Sequence, residues 1–169
     1  MNQLIFRKLI KADVDSLYSL MDRVTALPYG KFYSPSGIEY YESRIDDYGA
    51  IFGVFDDQKL IAYAVLDFPG VGSDNFGRLI GIPDKELLRV ALLAGCVVDP
   101  EYKGQGLQRK LCGAREQYAL SMDCKHVFAM VHPDNLHSLN NIVSGGYTII
   151  LPHVTMEWGI RHILYKYFA

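Results

Sequence analysis

The order of apolar and polar positions divides the chain into short elements separated by turn residues. Residues 3–10 are strand-like. Asp13 then stands as an N-cap ahead of Val14, Leu17, Leu20, Met21 and Val24, whose spacing puts all five on one helical face. Pro28, Gly30 and Pro35 interrupt the chain. Ser34-Pro35 can cap a second, shorter helix that buries Ile38, Tyr41, Ile45 and Tyr48 and carries Glu39, Glu42, Asp46 and Asp47 on its other face. Two apolar runs, 50–55 and 60–66, joined by Asp56-Asp57-Gln58-Lys59, predict an antiparallel hairpin. From 68 to 84 the chain is rich in Gly, Pro, Ser and Asp, and reads as either a mobile lid or a disordered insertion.

The second half starts with an apolar stretch over 87–98, a strand from about Ala91 onward. After Gly104 and Gly106 a helix is predicted with Leu107, Leu111, Ala114, Tyr118 and Met122 on one side. Residues 127–131 form a strand. Pro133-Asp134-Asn135 opens a further helix that buries Leu136, Leu139 and Val143 and ends at Gly145-Gly146. Strands over 147–151 and 162–168 follow, separated by an irregular stretch that includes Trp158. With no internal repeat and no low-complexity segment, the expected assembly is one mixed α/β domain over 1–169, with a largely antiparallel central sheet flanked by helices.

Composition narrows the function classes. A chain of 169 residues can bury about two-thirds of its unfolded surface without staples. Half of it is apolar or aromatic and its formal net charge is −2, which disfavours disorder and, with no basic stripe, a nucleic-acid partner. Cys96, Cys112 and Cys124 form no Cys-x-x-Cys pair, so a reducing compartment, the cytoplasm, is expected. Arg7-Lys8 interrupts Leu4-Ile5-Phe6, and no apolar run reaches membrane-spanning length, so a soluble, unprocessed protein with no membrane partner is expected. Five histidines at irregular spacing give no metal-ligand pattern, and no metal is expected.

The segment that carries chemistry runs from Val98-Asp99-Pro100 through Glu101-Tyr102-Lys103-Gly104-Gln105-Gly106 to Leu107-Gln108-Arg109. A buried strand passes through a glycine-rich turn straight into a helix, so unpartnered backbone N–H groups face one spot at the positive end of the helix dipole. Such a spot binds phosphate. A side chain at the glycines would hold an anion away from those donors. The dinucleotide fingerprint is excluded because Arg109 stands at its third glycine, and the nucleoside-triphosphate loop because Gly-Lys-Ser/Thr is absent. A glycine pair by itself also suits an ordinary turn.

The segment resembles the acyl-CoA pyrophosphate loop of the GNAT superfamily of N-acetyltransferases, with Lys103 and Gly106 in the first two slots of its pattern. The resemblance extends to Val98-Asp99-Pro100, to Val131-His132-Pro133-Asp134-Asn135, and through Ser138 to Gly146-Tyr147. It implies acetyl-CoA as co-substrate, held by Cys96, Val97, Val98, Lys103, Gly104, Gln105, Gly106, Leu107, Gln108, Arg109, Asn135 and Ser138. It further implies direct attack by a primary amine of a small-molecule acceptor, in a monomer or homodimer. Three positions depart from the pattern. Lys103 replaces Gln or Arg and loses bidentate geometry, Gln108 replaces Gly or Ala, and Ile142 stands where many relatives place a Tyr general acid.

The base is open. Ala94, Gly95 and Cys96 put no carboxylate on the central strand, His132 is the first candidate because imidazole titrates near neutral pH, and Asp67, Glu157 or a relayed water are equally eligible. Cys96 as nucleophile lacks any supporting His or Asp spacing and suits a small core residue better. Tyr29, Tyr33, Tyr40 and Tyr41 fall in the segment that covers the acceptor in the family, with Tyr41 also readable as core. Loss of the acid also admits a non-catalytic acyl-CoA-binding or sensing domain.

Overall fold

The computed structural model describes residues 3–169. Seven strands form one mixed, mostly antiparallel sheet in the order β1-β2-β3-β4-β5-β7-β6. They are β1 (Ile5–Lys8), β2 (Gly49–Asp56), β3 (Lys59–Asp67), β4 (Val90–Val98), β5 (His126–Val131), β6 (Thr148–Met156) and β7 (Gly159–Tyr167). The helices are α1 (Val14–Thr25), α2 (Ile38–Asp46), α3 (Leu107–Ser121) and α4 (Leu136–Ser144). β1 pairs antiparallel with β2, β4 parallel with β5, and β7 antiparallel with both β5 and β6. The chain divides into two compact units, Met1–Leu66 with Gly95–Arg115, and Asp67–Ala94 with Glu116–Ala169, so both β4 and α3 change unit midway.

In the first unit the face of α1 is the one its spacing predicts, since Val14, Leu17, Leu20, Met21 and Val24 are all buried. Asp13 precedes the helix but does not cap it with its side chain. Its carboxylate takes both Arg7 guanidinium nitrogens, at 2.7 and 2.8 Å, and the Ile10 N–H. In α2 the expected face is corrected: Gly37, not Ser34, precedes the helix, and only Tyr41 is buried, whereas Ile38 and Tyr48 are exposed. The helix ends at Asp46, so Tyr48 lies beyond it. β2 and β3 meet at Asp57 and Gln58, with Asp57 in the left-handed region at φ +55°. Val54, Ile61, Ala62, Ala64, Leu107 and Leu111 form one core cluster here.

In the second unit the stretch over 68–84 is neither lid nor disorder. Asn75 is 1% exposed and its amide donates to the carbonyls of Gly70 and Leu87 while accepting the Gly77 N–H, which pins a short helical turn, Phe76–Ile80. Phe76 then packs edge-on against Phe128 of β5, at 6.2 Å between centroids. Only β4 from Val90 on is strand, and Asp84–Arg89 before it forms further helical turns. The irregular stretch around Trp158 is instead the turn of a long β6–β7 hairpin. A register shift along β6 brings His153 to φ +51°, where its N–H donates to Nδ1 of His162 at 3.1 Å.

Candidate functional site

The glycine-rich turn lies in the first unit. Gly104 at φ +81° and Gly106 at φ +72° both adopt the left-handed conformation that an L side chain resists. A Cβ built at either would meet nothing within 4 Å, so both glycines border open space. The Gly106 carbonyl accepts the Lys110 N–H at 3.1 Å and so begins α3, whose first-turn donors point back toward the glycines. Leu107 and Leu111 anchor that end in the core. Gln105 and Arg109 are exposed, and Gln108 is half-buried. Lys103 lays its ammonium 3.9 Å from the centroid of the Tyr29 ring, a cation–π contact.

Upstream, β4 is the middle strand of seven, yet Gly95 on it is exposed and a Cβ there would also meet nothing within 4 Å. Cys96 and Val98 are half-buried, and only Val97 is fully enclosed. Burial pushes the Cys96 thiol above its usual range against a smaller opposing pull from Arg115, so it is a neutral thiol and a poor nucleophile.

The tyrosines divide. Tyr29 is covered by Lys103, and Tyr40 carries the Arg44 guanidinium 4.2 Å above its ring. Tyr41 is core: its hydroxyl accepts the Ser36 N–H and contacts the Met21 sulfur at 3.2 Å. Tyr33 is mostly enclosed, and burial, then Cys96 and Tyr29, push its hydroxyl up to about 12. Among the acids of α2, Asp46 pairs with Lys11 at 2.8 Å.

In the second unit, Asn135 is the N-cap of α4, its Oδ1 accepting the Ser138 N–H at 3.3 Å. Ser138 is half-buried on the first turn. His132 lies just past β5, and its Nδ1 accepts the Asp134 N–H at 3.1 Å. Asp67 is buried and Glu157 lies exposed in the hairpin turn. Ile142 is the buried residue of α4, whereas Leu136 and Val143, expected inside, are exposed. Tyr147 is buried, as its core slot requires.

Three residues of the first unit escaped the sequence reading. Arg115 is 1% exposed, with Nη1 donating to the Val65 carbonyl at 3.0 Å. It lies one turn beyond Leu111, a position that helical period alone would have flagged. Asp99 and Tyr102 sit inside the motif itself, where glycine drew the attention. The Asp99 carboxylate is held by Arg23 at 3.0 Å and Lys59 at 3.2 Å, and the Tyr102 hydroxyl donates to Asp56 at 2.6 Å. Among the described residues, no group of three or more His, Cys, Asp or Glu is placed to hold a metal ion.

The fold is shared with solved acetyltransferase structures at low identity. One from Salmonella typhimurium, determined with its cofactor acetyl-CoA, is 18% identical with a TM-score of 0.73 over 98% of this chain and 94% of that one. An N-acetyltransferase of Staphylococcus aureus Mu50 is 14% identical, TM-score 0.74, over 98% and 99%. A ribosomal-protein-alanine N-acetyltransferase of Brucella melitensis is 15% identical, TM-score 0.72, over 97% and 99%. A search of curated proteins by sequence finds no match. Residues 15–142, which include the glycine turn and all of α3, match the Acetyltransferase (GNAT) family, and the chain belongs to that family.

Proposed function

We propose that this protein is an acetyl-CoA-dependent N-acetyltransferase that acylates a primary amine of a small molecule. The observation that carries the reading is the pair of left-handed glycines, Gly104 and Gly106, bordering open space at the N-terminus of α3. These residues fit a diphosphate, because the space beside them is what a Cβ would fill and the helix end supplies donors and positive potential. Lys103 and Arg109 add charge on the same turn, and Gln105, Leu107 and Gln108 contribute backbone donors.

Acetyl-CoA, when bound, supplies an activated thioester: the amine nitrogen bonds to the carbonyl carbon, the C–S bond breaks, and the sulfur leaves as thiolate. The protein's part is placement and polarisation. The backbone at Cys96, Val97 and Val98 is assigned to the pantetheine arm and the carbonyl oxygen, where each well-placed donor contributes about 3 kcal/mol. A thiol with an ordinary pKa of about 8.5 leaves with little acid help, so Ile142 is no obstacle. With Nδ1 of His132 committed, the amine's proton is assigned to water. Of the three tyrosines, Tyr33 is assigned to the acceptor, since Tyr29 and Tyr40 already carry cations of the protein. Cys96, Cys112 and Cys124 form no disulfide, which supports a reducing compartment such as the cytoplasm.

Calorimetry with acetyl-CoA tests the carrier site, and a panel of primary amines incubated with acetyl-CoA while thiol is monitored tests the transfer. Binding with thiol release on at least one amine is the expected result; no binding removes the proposal. A second reading, an acyl-CoA-binding domain without catalysis, is favoured by the buried Ile142 and by a β4 without carboxylates. Binding without thiol release on any amine would establish it.

A further inference from the structure

Glycine gives the carrier turn its shape but not its rigidity, because a Gly-Gln-Gly sequence loses more backbone freedom on ordering than any other. Something else must hold it. The residues just upstream are tied at every step. The Asp99 N–H donates to the Ile61 carbonyl of β3 at 2.8 Å, and Oδ1 of the same residue accepts the Glu101 N–H at 3.1 Å. That contact shapes the turn Pro100–Tyr102, closed by Tyr102 N–H on the Asp99 carbonyl at 2.9 Å. The other carboxylate oxygen takes Arg23 from α1 and Lys59 from β3. Tyr102 then reaches β2, its hydroxyl on Asp56 at 2.6 Å, while Lys59 stands 5.5 Å from its ring centroid.

A turn of this kind needs only an acceptor such as Ser or Asn. Here it uses a carboxylate that is 1% exposed, between two cations that are each about half exposed. A buried ion pair is weak evidence for added stability, so its use points to fixing a geometry. We propose that Asp99 and Tyr102 are positioning residues for the acyl carrier, bracing the turn before Gly104 against α1, β2 and β3 so that the donors of the glycine turn stay aligned. The proposal rests on the acyl-CoA reading above. Neither side chain touches the ligand; each acts through Lys103 and the glycines that follow.

The test measures acetyl-CoA binding by calorimetry, beside the melting midpoint, for the wild type, Asp99→Ala, Asp99→Asn and Tyr102→Phe. Asp99→Ala should weaken binding by about tenfold or more. Asp99→Asn keeps an acceptor for the Glu101 N–H but lacks the charge that holds Arg23 and Lys59, and should weaken binding about three- to tenfold, between Asp99→Ala and wild type. Tyr102→Phe, which removes one oxygen atom, should weaken binding about three- to tenfold with the melting midpoint nearly unchanged. Losses that track melting midpoint across the three variants, wild-type affinity in Asp99→Asn, or wild-type affinity in Tyr102→Phe would each overturn the brace. Should Asp99→Ala fail to fold, Asp99→Asn and Tyr102→Phe decide by the same criteria. A wild type that binds no acetyl-CoA overturns the acyl-CoA reading itself, whereas a binding wild type with unaffected variants overturns only the brace.

Discussion

Gly106 and His132 show how much a single residue's chemistry depends on its backbone. At φ +72° an alanine in place of Gly106 has room for its methyl group, since nothing lies within 4 Å, but it carries left-handed strain of about 1 kcal/mol. That methyl also enters the open space assigned to phosphate. Gly106→Ala is expected to cost about tenfold in acetyl-CoA affinity with a small drop in melting temperature, both readable on one sample. Gly113→Ala is the control. It too has nothing within 4 Å but lies inside α3, so it should stabilise the helix by up to about 1 kcal/mol and leave binding alone. His132→Asn keeps an acceptor for the Asp134 N–H, and turnover against pH should match wild type within about threefold. A lost inflection near neutral pH in that variant would return the ring to the role of base.

Among the elements, α4 and α3 depart most from their apolar spacing. α4 has nine residues and stops at Ser144 ahead of Gly145, and Ile142 alone is buried, so the stripe of Leu136, Leu139 and Val143 is mostly outside. The helix is too short for period to identify its inner face. Ile142→Tyr restores a phenol at the position of the family's acid, but it puts a larger polar group into a filled site, at a cost of about 1–3 kcal/mol. Thermal unfolding should therefore show a lower melting temperature, and thiol release should not rise; a severalfold rise would mean that the ring turns outward and serves as acid. In α3 the buried row is Leu107, Leu111, Arg115 and Ala119, four residues apart, instead of the row through Ala114 and Tyr118. Arg115 is a charged residue within that row. Its guanidinium is nevertheless inside, donating to the Val65 carbonyl.

For the molecule as a whole, acid stability is set in part by carboxylates that folding holds charged. Burial alone would raise Asp99, but the Glu101 N–H, Lys59 and Arg23 outweigh it and hold the carboxyl below the usual range. The Arg7 hydrogen bond lowers Asp13 in the same direction, against a smaller burial effect. A carboxyl depressed on folding contributes stability above its unfolded value, near 4, and loses it as pH falls through the folded value. Unfolding free energy should thus be flat in these two groups at neutral pH and fall below about pH 4. Asp99→Asn should be less stable than wild type at pH 7, with the gap closing toward acid, which denaturant titrations at pH 7 and pH 3 can check. A gap that stays constant between those two points would show that Asp99 keeps the same charge in both states.

Local spacing and turn chemistry determined much of this protein by themselves. They gave the α1 face, the β2–β3 hairpin, and the Gly104 and Gly106 turn between strand and helix, because period and breaker residues act within a few positions of each other. Tertiary structure alone decided the rest. Asn75 orders the stretch over 68–84 through carbonyls five and twelve residues away, which no composition of glycine and serine foretells. His132 met the N–H of Asp134 at its Nδ1, and Tyr29 and Tyr40 received cations from Lys103 and Arg44. Asp99 acquired partners 76 and 40 positions distant, Arg23 and Lys59, and is among the most enclosed charges of the described residues. A sequence shows which groups can donate, accept or carry charge. Which partner each one meets is fixed only when distant segments pack, because a hydrogen bond or ion pair is decided within about 3 Å.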